Sequence, residues 1–306
     1  MRTIYLHVGY HKTATTFMQG SIFPNLKHVN FIHPDYIMGD LRKLRLGRLT
    51  GYQIDLIRDE FDSFENDRPL LISYEGLSGS PFAPKKVKKQ REILKDLRRV
   101  FPADRYDVHI IVGLREQVDL ITSLYVQHIH QGGVMDAGEY VQYCRSNGVL
   151  ENFHYQNYLE EIEAIFGRDH MYIMIFEAFK KAPAEELQKL LNYMGEPEIP
   201  EYEEVKSVRK ANKSFGTAQV ALGRRMNQLF KTPIHPEGPV AMISLSHRNY
   251  LPTRYILQNK LSYGLHHKKY QLPINLQISL KKQYTQSNYE LANQYELDLP
   301  KEYFME

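Results

Sequence analysis

Near the start of the chain, Lys12, Thr13, Thr15 and Thr16 set one ammonium and three hydroxyls within five positions, shortly after Gly9. An apolar run, Ile4-Tyr5-Leu6-His7-Val8, leads into them, and helix-compatible residues follow. This layout is an anion cradle, in which free backbone N–H groups and the positive end of a helix dipole face a phosphate or similar oxyanion. Thr is a mediocre helix former, so three in one first turn suit an oxyanion better than they suit helix propensity. The string is not a Walker loop, which would read Gly-x4-Gly-Lys-[Ser/Thr]: only Gly9 precedes Lys12, and Ala14 follows it. The plainer alternative is a tight strand-to-helix turn with Thr13 as its N-cap.

Two further groups carry chemistry. Ile110-Ile111-Val112-Gly113-Leu114 ends on Arg115, and Ser123 follows eight positions later. An arginine at a strand's carboxyl end stands where open sheets bind ligands, and its planar fork suits a phosphate. Ser123, two turns into the next helix, lies near enough to share that anion. A pairing of Arg115 with a nearby carboxylate is the structural alternative. Leu70-Leu71-Ile72-Ser73-Tyr74 ends on Glu75. That carboxylate suits a general base toward a hydroxyl if its surroundings tune it, and otherwise a turn cap.

These residues need a frame that brings strand ends to one rim. Four short apolar runs read as buried parallel strands: Thr3–Val8, Pro69–Tyr74, Asp107–Leu114 and His170–Phe176, with a weaker fifth at Val29–His33. Helical periodicity fills the gaps at Thr15–Ile22, Tyr52–Phe64, Pro84–Val100, Gln117–His130, Ala137–Arg145, Tyr155–Phe166 and Pro183–Met194. Gly167 and Gly195 read as helix stops. Alternating strands and helices predict a three-layer α/β fold, a mostly parallel sheet of about five strands flanked by helices. Beyond Pro200 the strand signal fades into a Tyr-, Gln- and Lys-rich segment. We therefore expect one domain over 1–306, with an α/β core at 1–200 and a helical extension at 201–306.

The bulk numbers narrow the class. A chain of 306 residues that is 42% hydrophobic suits one large domain. A net charge of +3 gives no field of the size nucleic acid calls for, although a pI near 8.6 fits a small anionic ligand. The single cysteine, Cys144, excludes an internal disulfide framework and is unremarkable in a reducing cytosol. With a strand starting at Thr3 and no long apolar run, we expect neither a signal peptide nor a membrane span, hence a cytoplasmic protein. Oligomeric state is not legible.

At Lys12–Thr16, Arg115 and Ser123 the chain resembles the sulfotransferases that use 3′-phosphoadenosine 5′-phosphosulfate (PAPS, leaving PAP). Their loop has the type Lys-[Ser/Thr]-Gly-[Thr/Ser]-Thr, and a later strand ends in Arg with a Ser about eight positions on. Ser123-Leu124-Tyr125-Val126-Gln127, Ile175-Phe176-Glu177 and Asn288-Tyr289-Glu290-Leu291-Ala292 before Leu297-Asp298-Leu299 are similar to the family as well, most of all to bacterial and carbohydrate-type members. The resemblance implies a P-loop-like fold and transfer of a sulfuryl group to a hydroxyl on a small molecule or glycan. It implies that Gly9, His11, Lys12, Thr13, Ala14, Thr15 and Thr16 hold the 5′-phosphosulfate. Arg115 and Ser123 would then anchor the 3′-phosphate, with Lys12, Glu75 and Ser123 as the catalytic set. His7, His11, His128 and His130 rival Glu75 as base, because the family offers both residue types.

The sequence also departs from the pattern. His11 stands where a proline is usual. Ala14 stands where a glycine is usual, and is acceptable if its φ stays negative. The Lys-Gly-x-x-Gly-Asp signature of cytosolic members is missing, and Ser207-Val208-Arg209-Lys210-Ala211-Asn212-Lys213-Ser214 stands in its place. Arg209, Lys210 and Ser214 would close over the 3′-phosphate. Two other readings remain: a magnesium- and ATP-dependent phosphotransferase with Glu177 on the metal, and a non-catalytic PAP-binding protein. Of the thirteen histidines no His-x-x-x-His pair has a supporting carboxylate, and His128 and His130 point to different helix faces, so no metal site is expected. The basic run from Lys85 to Arg99 reads as a solvated helix face, or more sharply as a landing strip for an acidic acceptor.

Overall fold

A computed structural model of the chain describes residues 1–64, 68–82, 84–196, 214–232, 234–241, 252–260 and 268–305. Five strands form one parallel sheet: β1 (Arg2–His7), β2 (Asn30–Ile32), β3 (Leu70–Ser73), β4 (Tyr106–Leu114) and β5 (Met171–Ile175). Their order is β2-β3-β1-β4-β5. All five expected strands are present, each shifted by a residue or so at its ends. The strands are near-continuous apolar runs because both faces are buried. Ile4, Leu6, Leu70, Ile72, Val108, Ile110 and Val112 point into one hydrophobic layer. Tyr5, Leu71, Ile111 and Met174, which alternate with them, point into the other. The period of two thus makes the three-layer architecture.

Helices cover both faces. After β1 come α1 (Thr15–Phe17), continued by a π-helical turn over Met18–Ile22, then α2 (Met38–Leu46) and α3 (Gly51–Asp62). Next are α4 (Gln90–Val100), α5 (Gln117–His130), α6 (Ala137–Ser146) and α7 (Tyr155–Phe166). The rest are α8 (Phe176–Lys181), α9 (Pro183–Tyr193), α10 (Thr217–Asn227), α11 (Pro252–Tyr255) and α12 (Ile274–Tyr295). Gly167 and Gly195 end their helices with φ of 96° and 74°, the left-handed region that glycine enters without strain.

Three local expectations need correcting. The helix expected from Pro84 begins only at Gln90, because the four lysines at 85, 86, 88 and 89 crowd like charges into one helical surface. Glu92 then reaches back to the Lys89 N–H (3.2 Å) and fixes the start. Short amphipathic α2 and six-residue α8 were not foreseen. The stretch after Ala14 is helical, but mostly as a π turn. In the extension, α12 buries Leu280, Tyr284, Leu291 and Tyr295 in the same layer as the sheet's main face. Among the described residues no helix is long and apolar enough to cross a membrane.

Candidate active site

Strands β3, β1 and β4 are neighbours, so their carboxyl ends deliver Glu75, the Lys12 loop and Arg115 to one rim. Beyond β1 the chain keeps tracking β4: the Val8 N–H donates to the Ile111 carbonyl (3.0 Å) and the Tyr10 N–H to the Gly113 carbonyl (3.3 Å). It then turns through Lys12 and Ala14, both at φ 70°. Left-handed backbone on either side of Thr13 makes a concave nest of N–H groups ahead of α1. The expectation for Ala14 therefore fails: it adopts the glycine-like conformation despite its Cβ, at a cost of order 1 kcal/mol. Thr13 is not the N-cap either. Ala14 holds that position, while the Thr13 hydroxyl donates to the Tyr10 carbonyl inside the protein. Gly113 permits this, since a Cβ there would lie 2.8 Å from Thr13 Oγ1.

Lys12 and Arg115 meet directly. Arg115 Nη1 donates to the Lys12 carbonyl at 3.0 Å, and Lys12 Nζ donates to Gln127 Oε1 at 2.6 Å. The Arg115 guanidinium lies 4.6 Å from the centre of the Phe176 ring and 3.5 Å from Asp119, which Lys269 also holds (3.0 Å). Arg115 is only 8% exposed, and its Nε is buried with no partner among the described residues. An unpaired buried guanidinium N–H calls for an acceptor that the protein does not itself supply.

Past β3, the Tyr74 N–H donates to the His7 carbonyl (3.0 Å), which swings Glu75 toward the Lys12 loop. Glu75 Oε1 sits 4.0 Å from His11 Nε2, with about a third of the Glu75 side chain exposed. Burial pushes the Glu75 carboxyl up, opposed by the Lys12 ammonium and the Thr15 hydroxyl. Burial pushes Lys12 down, with Glu75 opposing and Arg115 and Arg254 adding to the fall. Desolvation and nearby cations hold His11 and His130 at about 3, and desolvation holds His7 and His128 at about 4. All four histidines are therefore neutral and weakly basic near pH 7.

One cleft of about 560 Å³ gathers most of the expected set: His11, Lys12, Ala14, Thr15, Thr16, Glu75, Arg115, Ser123 and Ser214. Gly9 and Thr13 do not line it, because both pack inward against β4. Arg209 and Lys210 lie outside the described residues. The sequence reading missed Phe17, Phe82, Val126, Phe176, Arg254 and Gln258 as lining residues. Gln127 was within reach, since it follows Ser123 by one helical turn and shares its face. Arg254 bonds Gln258 (Nε to Oε1, 3.1 Å) one turn on, but no spacing ties that pair to the loop. Of the rival bases, only His11 and His130 line the cleft; His7 is buried against Ser73 Oγ (2.7 Å). Glu177 faces away, accepting from the Glu116 N–H (3.1 Å) and the Tyr303 hydroxyl (2.9 Å).

No protein-family model matches the chain, and no curated protein matches it. Solved structures do. A sulfotransferase from Alicyclobacillus acidocaldarius is similar with a TM-score of 0.50 and 14% identity, over 69% of this chain and 91% of that one. A mouse sulfotransferase complexed with PAP is similar with a TM-score of 0.39 and 14% identity, over 69% of this chain and 67% of that one. The sulfotransferase domain from the curacin biosynthetic pathway has a TM-score of 0.40 and 14% identity, over 98% of both chains. The Alicyclobacillus likeness shows that the five-stranded parallel sheet and its flanking helices are a sulfotransferase fold.

Proposed function

We propose that this chain transfers a sulfuryl group from PAPS to an acceptor hydroxyl, on a carbohydrate or a related small molecule. One observation carries the reading: Lys12, Glu75, Arg115 and Ser123 come from three strand ends and one helix to line a single cleft, with Arg115 bonded to the Lys12 carbonyl. The buried, unpartnered Arg115 Nε fits an anionic group such as a ribose phosphate.

When bound, PAPS supplies an activated sulfuryl group. The chain's own residues do the positioning and the charge work, as in phosphoryl transfer. The N–H groups from Thr13 to Thr16 cradle the 5′-phosphosulfate, and Lys12 neutralises the charge that grows at the leaving oxygen. Arg115 and Ser123 anchor the 3′-phosphate, aided by Ser214 and by Arg209 and Lys210. Glu75 takes the acceptor's proton. Its raised proton affinity brings it nearer the operating pH than the four histidines, whose affinity is depressed.

The test compares thermal shifts with adenosine 3′,5′-bisphosphate, AMP and ATP, followed by turnover of PAPS against a panel of hydroxyl acceptors. At a hundredfold its dissociation constant the bisphosphate adds about 2.7 kcal/mol, more than the other two at the same concentration. Equal shifts for all three would remove the donor assignment. Lys12→Ala keeps the fold while turnover collapses by about 10²–10³, the loss seen when one transition-state donor is removed. A bisphosphate shift without transfer to any acceptor would leave the non-catalytic reading. The phosphotransferase reading needs Glu177 at the cleft, and its oxygens are turned to Glu116 and Tyr303 instead.

A further inference from the structure

Far from the cleft, near the amino end of β4, three donor side chains converge. Asp107 and His109 are two apart on the strand and so share a face. The parallel register that pairs Ile110 with Met171 sets His109 level with His170, the residue just before β5. Asp107 Oδ2 lies 3.1 Å from His109 Nε2, and Asp107 Oδ1 lies 3.0 Å from His170 Nε2. One donor atom from each residue falls within 4.8 Å of the other two. The Tyr193 hydroxyl is 2.8 Å from His109 Nδ1, on the side away from the carboxylate. Gly167, at φ 96°, lets His170 tuck in, since a Cβ there would lie 3.3 Å from its Nδ1.

We propose that Asp107, His109 and His170 bind a divalent cation of the zinc class, with Tyr193 orienting His109 and water completing the coordination. Two imidazole nitrogens and a carboxylate oxygen are a donor set for zinc rather than for magnesium or calcium, which prefer oxygen alone. Tetrahedral zinc with bonds of about 2.0–2.2 Å holds its donors about 3.3 Å apart; the carboxylate stands 3.1 and 3.0 Å from the two imidazoles, and the three donor atoms need close only from within 4.8 Å of one another. Asp107 and His109 sit on a central strand, so little reorganisation is needed. The Asp107 side chain is 32% and the His170 side chain 40% exposed, which leaves an entry path and room for a water. Tyr193 does what a partner behind a metal-bound histidine does: it fixes which ring nitrogen faces the ion. The expectation of no metal site rested on helical His spacing, whereas here the spacing is that of a strand and its neighbour.

The experiment uses full-length protein, free of affinity tags and stripped with a chelator, and titrates it with zinc by calorimetry and with cobalt by visible absorption. The expected result is one equivalent bound, a tetrahedral cobalt spectrum and a zinc-dependent rise in Tm. His170→Gln and Asp107→Asn each weaken binding at least tenfold, and Tyr193→Phe weakens it roughly tenfold, the usual effect of losing an outer-shell partner. His170 is the most exposed of the three, so His170→Gln keeps the fold, as checked by circular dichroism. Zinc bound equally well by His170→Gln and Asp107→Asn, or no saturable binding by the parent, would overturn the proposal. The bisphosphate thermal shift is unchanged in these variants, so this site and the cleft are tested separately.

Discussion

Glu75 places a pH-sensitive cost in the cleft. Burial makes the folded state hold this proton more tightly than the unfolded state does. Its contribution to stability is therefore complete below the unfolded carboxylate value and is lost as pH rises through the folded value. Above that point the ionised group costs stability. Glu75→Gln should thus lower kcat/KM by about 10²–10⁴ while raising the urea midpoint more at pH 8 than at pH 5. A variant less stable than the parent at pH 8 would contradict this. The parent's kcat/KM should rise with pH through the same ionisation. Ala14 presents the backbone version of the same trade. Ala14→Gly removes a left-handed alanine and should stabilise the fold by about 1 kcal/mol, seen as a higher midpoint with an unchanged slope.

Helix α5 carries Ser123 and Gln127, and its start is held by Glu116, which accepts from the Val118 and Asp119 N–H groups (2.9 and 2.7 Å). Burial pushes Glu116 up to about 7, against those two bonds and Lys281, with Asp119 reinforcing the rise. A raised carboxylate stabilises below its unfolded value and loses that contribution as pH climbs through about 7. Glu116→Gln keeps an acceptor without the charge. Its stability relative to the parent should therefore improve from pH 5.5 to pH 8, by no more than about 3 kcal/mol. Denaturant unfolding at the two pH values measures it; no pH trend would rule it out. The elements themselves were largely legible. Apolar strands buried on both faces, and helices such as Gln117–His130 and Tyr155–Phe166, follow from periodicity alone. Legible too were Lys12, Glu75 and Arg115, because each lies within a few residues past the carboxyl end of a strand. Arg254 was hidden: it reaches the cleft by tertiary packing, which leaves no period in the chain. The conformation of Ala14 ran against local propensity, so the packing around it, and not its own residue type, holds it there.

Across the whole molecule, a buried amide pair ties α12 of the extension to α5, the helix that carries Ser123 into the cleft. Asn288 of α12 is 1% exposed and exchanges hydrogen bonds with Gln117, the first residue of α5. Gln117 Nε2 donates to Asn288 Oδ1 (2.7 Å), and Asn288 Nδ2 donates to Gln117 Oε1 (3.1 Å) and to the Tyr303 carbonyl (2.7 Å). A sequence-level reading finds only a family-like Asn-Tyr-Glu-Leu-Ala string there, since the partner lies 171 positions away. Asn288→Ala removes every one of these contacts, leaves the buried Gln117 amide only its bond to the Phe153 carbonyl (3.3 Å) and takes the Asn288 donor from the Tyr303 carbonyl, so it should cost about 2–4 kcal/mol. Gln286→Ala, on the exposed face of α12, should change stability by less than about 0.5 kcal/mol. Pairing Asn288→Ala with Gln117→Ala should be clearly less than additive, because either change alone already breaks the shared bonds. Additive costs in that double-mutant cycle would show that α12 and α5 are not coupled through this pair. If they are coupled, Asn288→Ala should also weaken bisphosphate binding, because α5 holds Ser123 and, through Gln127, the Lys12 ammonium.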